Sequence, residues 1–212
     1  MEPGFWRERW RSNEIGFHQG EANALLVDHL DGLSLRDGAR LFLPLCGKTR
    51  DIAWLMSRGF RVAGAELSQI AVDQLFQELG IEPRTADAGR LTRHSAPGID
   101  IFVGDIFDLT LPALGRLDAV YDRAALVALP AEMRNRYTAH LMDITDKAPQ
   151  FLLCYEYDQT ELDGPPFSIS REEVHRHYGD HYDVTQVKSI DVAGGLKGKV
   201  AAAETAWLLR AA

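Results

Sequence analysis

The stretch Arg40-Leu41-Phe42-Leu43-Pro44-Leu45-Cys46-Gly47 decides the fold of this 212-residue chain. It is a short, continuous apolar run that ends at a glycine, which is typical of a strand buried on both faces of a parallel sheet. A helical repeat follows over residues 51–58, and a second apolar strand over residues 62–65 ends at Glu66. The order strand, helix, strand predicts the first unit of a parallel α/β sheet.

The same alternation continues to the end of the sequence. Further strands are predicted at 101–103, 117–121 and 151–157, and further helices at about 68–79, 131–144 and 171–178. Two last strands, at 182–192 and 203–209, flank a turn-rich segment and should pair antiparallel. The sequence therefore predicts a Rossmann-like, doubly wound α/β sheet of about seven strands. We expect it to be mostly parallel, with helices on both faces and an antiparallel hairpin at its C-terminal edge.

Residues 1–30 precede the first strand and are predicted to be helical, because their apolar residues recur every three or four positions. Trp10 and Phe17 make this segment unusually aromatic. Spacing alone fits core residues and a lid over a bound ligand equally well. No linker or repeat divides the chain, so we expect one domain over residues 1–212, with residues 1–30 as an arm or lid.

Composition excludes several classes of protein. The chain has 23 Lys and Arg against 31 Asp and Glu, a net charge of −8, which argues against a nucleic-acid partner. It lacks the run of about 18 apolar residues that a membrane helix needs, and early charges at Arg7 and Glu8 argue against a secretory signal. Cys46 and Cys154 lie in separate apolar runs, which excludes a disulfide framework. We expect a cytoplasmic monomer with a small-molecule partner and no membrane partner.

The ends of the predicted strands are the candidate site, since ligands of such sheets bind beyond the carboxyl ends of the strands. Glu66 is there, and its carboxylate could simply be solvated or could accept hydrogen bonds from both hydroxyls of an adenosine ribose. NAD and S-adenosylmethionine both present such a ribose. The pyrophosphate of NAD requires a Gly-x-Gly-x-x-Gly loop, whereas the loop after the first strand contains only Gly47. This difference favours S-adenosylmethionine over NAD.

Three other kinds of site have weaker support in the sequence: a phosphate-binding loop, a metal site and a reactive thiol. Gly47-Lys48-Thr49 matches only the end of a phosphate-binding P-loop, because the required first glycine would fall at Phe42. His177 and His181 could share one helix face as metal ligands, but His175 cannot join them, so we expect no metal site. Cys154 lies in the middle of a predicted strand and is expected to be an inert core thiol.

Seven motifs stand in order along the chain and together resemble the thiopurine S-methyltransferase family in its short bacterial form. They are Trp6-x-x-x-Trp10, Phe17-His18-Gln19, Phe42-Leu43-Pro44-Leu45-Cys46-Gly47-Lys48, Gly64-Ala65-Glu66-Leu67-Ser68, Ile106-Phe107-Asp108-Leu109, Asp122-Arg123-Ala124-Ala125-Leu126-Val127-Ala128 and Gly164-Pro165-Pro166-Phe167. The likeness covers residues 1 to about 180.

The resemblance implies a class I methyltransferase that uses S-adenosylmethionine and releases S-adenosylhomocysteine. It implies a substrate contact at Phe17, and Arg123 is a candidate for either ligand. The implied cofactor contacts are Trp10, Leu45, Glu66, Asp105, Ile106 and Arg123.

The implied reaction is direct displacement by the sulfur of a thiopurine or of another aromatic or heterocyclic thiol. We assign no catalytic base, because such sulfur nucleophiles ionise near neutral pH. Bacterial relatives are also linked to methylation of selenium and tellurium species, so the acceptor is a small-molecule thiol or a metalloid. A non-catalytic protein that binds an adenosine ligand on the same sheet is the alternative from another class.

Two departures from the family pattern bear on the site. The family usually has Asp-Arg-Gly where this chain has Asp122-Arg123-Ala124. The loop between the last two strands is also short, so that Lys197 and Lys199 are the only candidates to replace an arginine that some members bring to the substrate. We further expect Glu66→Gln to weaken cofactor binding with little effect on the fold.

Overall fold

A computed structural model describes residues 3–16 and 18–211 of the chain. Within these residues the chain forms one nine-stranded sheet in the order β3-β4-β5-β2-β1-β6-β7-β9-β8. The strands are β1 (Arg40–Leu43), β2 (Arg61–Glu66), β3 (Arg84–Ala88), β4 (Leu91–Ala96), β5 (Ile99–Val103), β6 (Ala119–Arg123), β7 (Gln150–Tyr157), β8 (Tyr182–Asp191) and β9 (Ala202–Ala211). The helices are α1 (Pro3–Arg11), α2 (Ala24–His29), α3 (Arg50–Ser57), α4 (Gln69–Leu79), α5 (Leu111–Leu114), α6 (Ala131–Ile144) and α7 (Arg171–Tyr178).

The centre of the sheet is parallel and its two edges are antiparallel. Strands β5, β2, β1, β6 and β7 run in the same direction. The last two strands form an antiparallel pair, with β9 joined antiparallel to β7. The predicted α/β fold with its C-terminal antiparallel hairpin is therefore confirmed.

The prediction of about seven strands missed the hairpin β3–β4, which adds an antiparallel edge beside β5. Residues of β3 are almost all exposed, and β4 buries only Leu91 and His94. Neither strand contains the apolar run by which the other strands were recognised. Pairing with β5, rather than a local pattern, defines this hairpin.

The N-terminal arm is not one continuous helix. Helix α1 ends at Arg11, and helix α2 begins only after Asn23, whose side-chain oxygen caps it by accepting from the N–H groups of Leu25 and Leu26. The connecting segment contains Gly16 and Gly20, which favour turns over helix. Phe17 lies outside the described residues.

The core has two layers because side chains alternate along each strand. Phe42 packs on one face of the sheet, in a cluster with residues of α6 and α7. Leu41 and Leu43 pack on the other face, with residues of α2, α3 and α4. Because both of its faces are buried, β1 lies in the centre of the sheet. The turn that follows β1 lies at the carboxyl edge.

Helices α3 and α4 begin directly after β1 and β2, and each has a side-chain cap. The Thr49 hydroxyl accepts from the Asp51 N–H, and the predicted cap Ser68 accepts from the Ala71 N–H. Both helix starts therefore lie at the carboxyl edge of the sheet, where the candidate residues were predicted. None of the helices in the described part of the chain is both long and apolar enough to cross a membrane.

Candidate functional site

The turn between β1 and α3 has an unusual backbone. Leu45 and Gly47 both have positive φ, at 47° and 53°. The Cys46 N–H donates to the Ala65 carbonyl at 3.0 Å, which ties the turn to β2. A Cβ atom added to Gly47 would lie 3.0 Å from Cζ2 of Trp10. Only a glycine lets the indole of Trp10 pack this closely on the turn.

Glu66 joins two of these loops through its carboxylate. One oxygen, Oε2, accepts from the Gly47 N–H at 2.8 Å, and the other, Oε1, accepts from the Ser68 N–H at 2.8 Å. The side chain is buried, and burial raises the pKa of Glu66 while the two N–H groups oppose the rise. A carboxylate has about four acceptor positions, so each oxygen keeps capacity for one further donor. Two neighbouring hydroxyls of a ribose match that capacity.

Arg123, at the end of β6, is held by a buried acid. Its guanidinium lies 3.4 Å from Oδ2 of Asp51 and donates to the Thr49 hydroxyl at 3.3 Å. The side chains of Arg123 and Asp51 are only 10% and 1% exposed. Three further donors, the Thr49 hydroxyl at 2.9 Å, the Tyr121 hydroxyl at 3.0 Å and the Asn23 N–H at 2.8 Å, complete the shell of Asp51. The arginine is therefore fixed before any ligand arrives.

A second acid extends this network towards β9. Glu204 accepts from Nδ2 of Asn23 at 3.1 Å, and it faces Tyr155 across the β7–β9 pair. Burial raises the pKa of Tyr155 to about 12, with Glu204 adding to the rise. Burial also raises the pKa of Glu204, while the nearby charge of Arg123 lowers it. These groups give the carboxyl edge beside Arg123 a polar, hydrogen-bonded wall.

Asp105 and Ile106 follow β5 and form the third part of the edge. Asp105 is exposed and accepts from the Phe107 N–H at 3.0 Å, so it caps the short 3₁₀ turn Ile106–Asp108. Ile106 is buried, and its carbonyl lies 2.8 Å from Nε2 of His140 on α6. The pair offers an acidic cap and an apolar side chain next to each other.

The N-terminal arm approaches the site from outside the sheet. Trp10 is 5% exposed, and α1 lies against α4. Burial and the nearby charge of Lys48, in the turn between β1 and α3, lower the pKa of His18. The arm therefore covers the edge that the other candidate residues line.

Lys48 and the three histidines have structural partners or lie apart. Lys48 donates to Oε1 of Glu78 at 2.7 Å, so its charge is already neutralised and the P-loop interpretation has no support. His177 is buried with its Nε2 3.2 Å from Oε1 of Glu173, whereas His175 and His181 are exposed. Among the residues that the structure describes, no three potential ligands come together as a metal site.

Of the two lysines that could replace a substrate arginine, Lys197 lies nearer to the neighbouring loops. Its Nζ donates to the Pro165 carbonyl at 2.6 Å, in the loop after β7. Burial and the nearby charge of Arg9 on the arm lower the pKa of Lys197. Both lysines are exposed. Lys197 thus connects the loop between β8 and β9 with the loop after β7.

Ala124 occupies a position that favours glycine, because its φ is +62°. A left-handed conformation costs a residue with a Cβ about 1–2 kcal/mol. We therefore expect Ala124→Gly to raise the free energy of unfolding by about 0.5–1 kcal/mol, as measured by urea denaturation. Ala139→Gly, on the exposed face of helix α6, is the control and should lower stability by a similar amount. If both variants changed the free energy of unfolding by the same amount in the same direction, the backbone of Ala124 would not be strained.

Asp122 is buried beside Arg123, and burial raises its pKa to about 6 despite the hydroxyl of Tyr137, which donates to it at 2.7 Å. Because the folded state binds this proton more tightly than the unfolded state, the stability that protonation gives is present below about pH 4 and is lost towards pH 6. Asp122→Asn cannot titrate. The unfolding free energy of this variant relative to wild type should therefore rise by on the order of 2 kcal/mol between pH 4 and pH 7, and a constant difference would contradict the prediction.

Sequence reasoning missed Asp51, Tyr121, Asn23 and Glu204. Asp51 gave no signal because an acid in the first turn of a helix is usually a solvated partner of the helix dipole. Here it is fully buried. Its role depends on Arg123, which is 72 residues away in the sequence.

The sheet, parallel at its centre with helices on both faces, places the protein in the class of Rossmann-like α/β folds. Magnesium protoporphyrin IX methyltransferase (ChlM) from Synechocystis PCC 6803 has the same fold, with a TM-score of 0.66 over 99% of each chain at 14% identity. The sequence matches the thiopurine S-methyltransferase (TPMT) family profile over residues 1–210.

The chain belongs to the thiopurine S-methyltransferase family. A thiopurine S-methyltransferase of Xanthobacter autotrophicus is 59% identical over the full length of both chains. Another, from Gluconobacter oxydans, is 47% identical over 96% of this chain and 92% of its own length. The predictions of the family, of an enzyme, and of S-adenosylmethionine as its cofactor are thereby confirmed.

Proposed function

We propose that this enzyme methylates the sulfur of thiopurines or of other aromatic and heterocyclic thiols. Membership of the family supports methyl transfer. The assignment of the site rests on the Glu66 carboxylate. This group is buried between two loops, and each of its oxygens can accept one further hydrogen bond. When bound there, S-adenosylmethionine supplies a methyl group that a sulfur nucleophile takes by direct displacement, leaving S-adenosylhomocysteine.

The predicted cofactor residues fit this group around one edge. Glu66 would accept from the ribose hydroxyls, and Asp105 with Ile106 would border the adenine. The turn containing Leu45 and Trp10 would enclose the methionine part. Each of these residues follows a strand of the sheet or packs on the turn after β1.

Arg123 would bind an anionic group, because its guanidinium is fixed and nearly buried at the same edge. The carboxylate of the cofactor and an anionic acceptor are both suitable. Phe17 remains the predicted acceptor contact. His18, its neighbour, lies close to Lys48 and Arg123, and this proximity supports an acceptor site beneath the arm.

No side chain of the site is needed as a base. Burial raises the pKa of the Cys46 and Cys154 thiols well above the usual value, so neither thiol supplies a nucleophile. An acceptor that is already a thiolate requires only orientation and exclusion of water. The arm and the fixed arginine serve these two purposes.

Methyl transfer from labelled S-adenosylmethionine to a panel of acceptors tests the proposal. The panel contains 6-mercaptopurine, thiophenol, selenite and tellurite. Labelled product from the two thiols is the expected result. If only selenite or tellurite gave labelled product, the acceptor would be a metalloid and not a thiol. If the protein bound the cofactor but formed no product, it would be a non-catalytic protein that binds an adenosine ligand. The cytoplasmic location and the monomeric state stay predictions.

We also infer that residues 1–212 act as one domain in which residues 1–30 form the lid. All nine strands of the described residues belong to one sheet. Within Gly4–Arg11, Trp10 is the buried residue, and its neighbours are half-buried or exposed. The α1 part of the arm, attached through so few buried groups, can open to admit ligands. The α2 part stays in place, because Leu25, Leu26 and Leu30 are buried in the core.

Trp10→Ala should therefore raise the dissociation constant of S-adenosylmethionine by roughly tenfold, which corresponds to about 1.4 kcal/mol. It should cost much less stability than the roughly 3–5 kcal/mol of an emptied core aromatic site. Calorimetry and urea denaturation measure the two quantities. Hydrogen exchange over residues 1–20 should slow when S-adenosylhomocysteine is added. Full protection of this segment without ligand, together with a large loss of stability in the variant, would make Trp10 an ordinary core residue.

A further inference from the structure

A cavity lies at the amino edge of the sheet, opposite the candidate site. It has a volume of about 510 Å³, and four arginines line it together with two acids, Glu82 and Asp100. The arginines are Arg40, Arg61, Arg84 and Arg93. This excess of two positive charges is unusual in a chain whose net charge is −8. A positive concave surface attracts small anions.

Strand register brings the charged groups to one face. Asp100 is paired with Ala63 on one side and Ser95 on the other. Arg61 is two residues before Ala63, and Arg84 is paired with Ser95. Since side chains on one face recur every second residue, Arg61 and Arg84 stand on the same face as Asp100, on either side of it.

Asp100 is already paired with the other two arginines. Its Oδ2 accepts from Arg40 at 2.9 Å, and its Oδ1 accepts from two nitrogens of Arg93 at 2.9 and 2.6 Å. Neither Arg61 nor Arg84 forms an ion pair with any residue that the structure describes. Arg61 uses only Nε, which donates to the Gly38 carbonyl at 3.0 Å. The terminal nitrogens of Arg61 and the guanidinium of Arg84 therefore have charge to offer a ligand.

We propose that this cavity, lined by Arg61 and Arg84, binds a small molecule that carries a pyrophosphate group. Guanidinium groups bind phosphate oxygens in pairs, and two arginines on either side suit an extended dianion better than a single carboxylate. The site is proposed for the pyrophosphate group alone, because Val62 and Ile99, which also line the cavity, have their side chains in the core on the other face of the sheet. Free pyrophosphate and a nucleoside diphosphate both contain this group.

Isothermal titration of the full chain with sodium pyrophosphate and with ADP tests the site. Both titrations are run with saturating S-adenosylhomocysteine, which prevents ADP from binding at Glu66. We expect one saturable site with a dissociation constant below a millimolar, weakened as salt is added. Tighter binding of ADP than of pyrophosphate identifies a nucleotide as the ligand, and equal binding identifies the pyrophosphate group alone. Absence of saturable binding of both compounds overturns the proposal.

The double variant R61Q/R84Q should weaken binding at least tenfold. The matched control, R90Q/R176Q, removes the same charge from two exposed arginines elsewhere and should bind as the wild type does. Equal affinity in all three proteins would contradict the site. Urea denaturation checks that the variants fold. Should the double variant fail to fold, R84Q alone serves as the test, because Arg84 is exposed and replacing an exposed side chain usually costs little stability.

Discussion

Glu66→Ala should raise the dissociation constant of S-adenosylmethionine at least about a hundredfold. In the site proposed above, the variant loses two charge-assisted hydrogen bonds to the ribose, each contributing about 1.5–3 kcal/mol. It also releases the Gly47 and Ser68 N–H groups that the carboxylate now holds at 2.8 Å. Calorimetry on the folded variant measures the affinity. Glu132→Gln, an exposed acid in the first turn of α6, is the control and should leave the affinity unchanged.

The same two contacts change the expectation for Glu66→Gln. Glutamine has one acceptor oxygen, so its amide nitrogen would face either the Gly47 N–H or the Ser68 N–H. We now expect this variant to lose about 1–3 kcal/mol of stability as well as affinity, rather than to leave the fold unaffected. An unchanged dissociation constant in both Glu66 variants would remove Glu66 from the cofactor site.

Asp51→Ala should lower the free energy of unfolding by about 3–5 kcal/mol, because it leaves the buried charge of Arg123 without its partner. Asp51 is fully buried and also accepts from the hydroxyls of Tyr121 and Thr49, at 3.0 and 2.9 Å. Each of these donors would lose its acceptor. Urea denaturation measures the loss. Asp28→Ala, an exposed acid on α2, should stay within about 0.5 kcal/mol of the wild type.

Asp51→Asn separates stability from function. The asparagine keeps an oxygen for the Asn23 N–H but presents a neutral amide to Arg123, which is then held less firmly. If Arg123 binds a ligand, the KM for the cofactor or for the acceptor should rise in the folded variant, and the parameter that rises identifies the ligand. Wild-type stability of Asp51→Ala would show that this network contributes little.

The alternating apolar runs determined the parallel core from sequence alone. Short apolar strands can be buried on both faces only when helices cover both sides. The pattern of residues 40–66 therefore predicts a parallel sheet with helices on both faces. The polar hairpin β3–β4 could not be found in this way, because its order comes from pairing with β5 and not from its own apolar residues.

The order of strands and helices along the chain likewise places Glu66, Asp105 and Arg123 at one edge, since each directly follows or ends a parallel strand. The positive φ of Ala124 shows why glycine is usual there, although the sequence showed only the difference in residue type. Ser68 was recognised as a helix cap because a cap depends on residues within one turn. Such local and topological features are the ones that a single sequence specifies.

The network that fixes Arg123 was decided only by the tertiary structure. Asp51 meets Tyr121 across 70 residues of sequence, and Asn23 meets Glu204 across 181. Which distant polar groups share a buried position depends on the register of strands and on the approach of the arm, and no local pattern encodes either. The same holds for the arginines of the amino edge, which come from four different strands. The sequence by itself therefore determined the fold class, the family and the strand-end acid, whereas side-chain pairing across the sheet decided which charges are neutralised and which are left to bind a ligand.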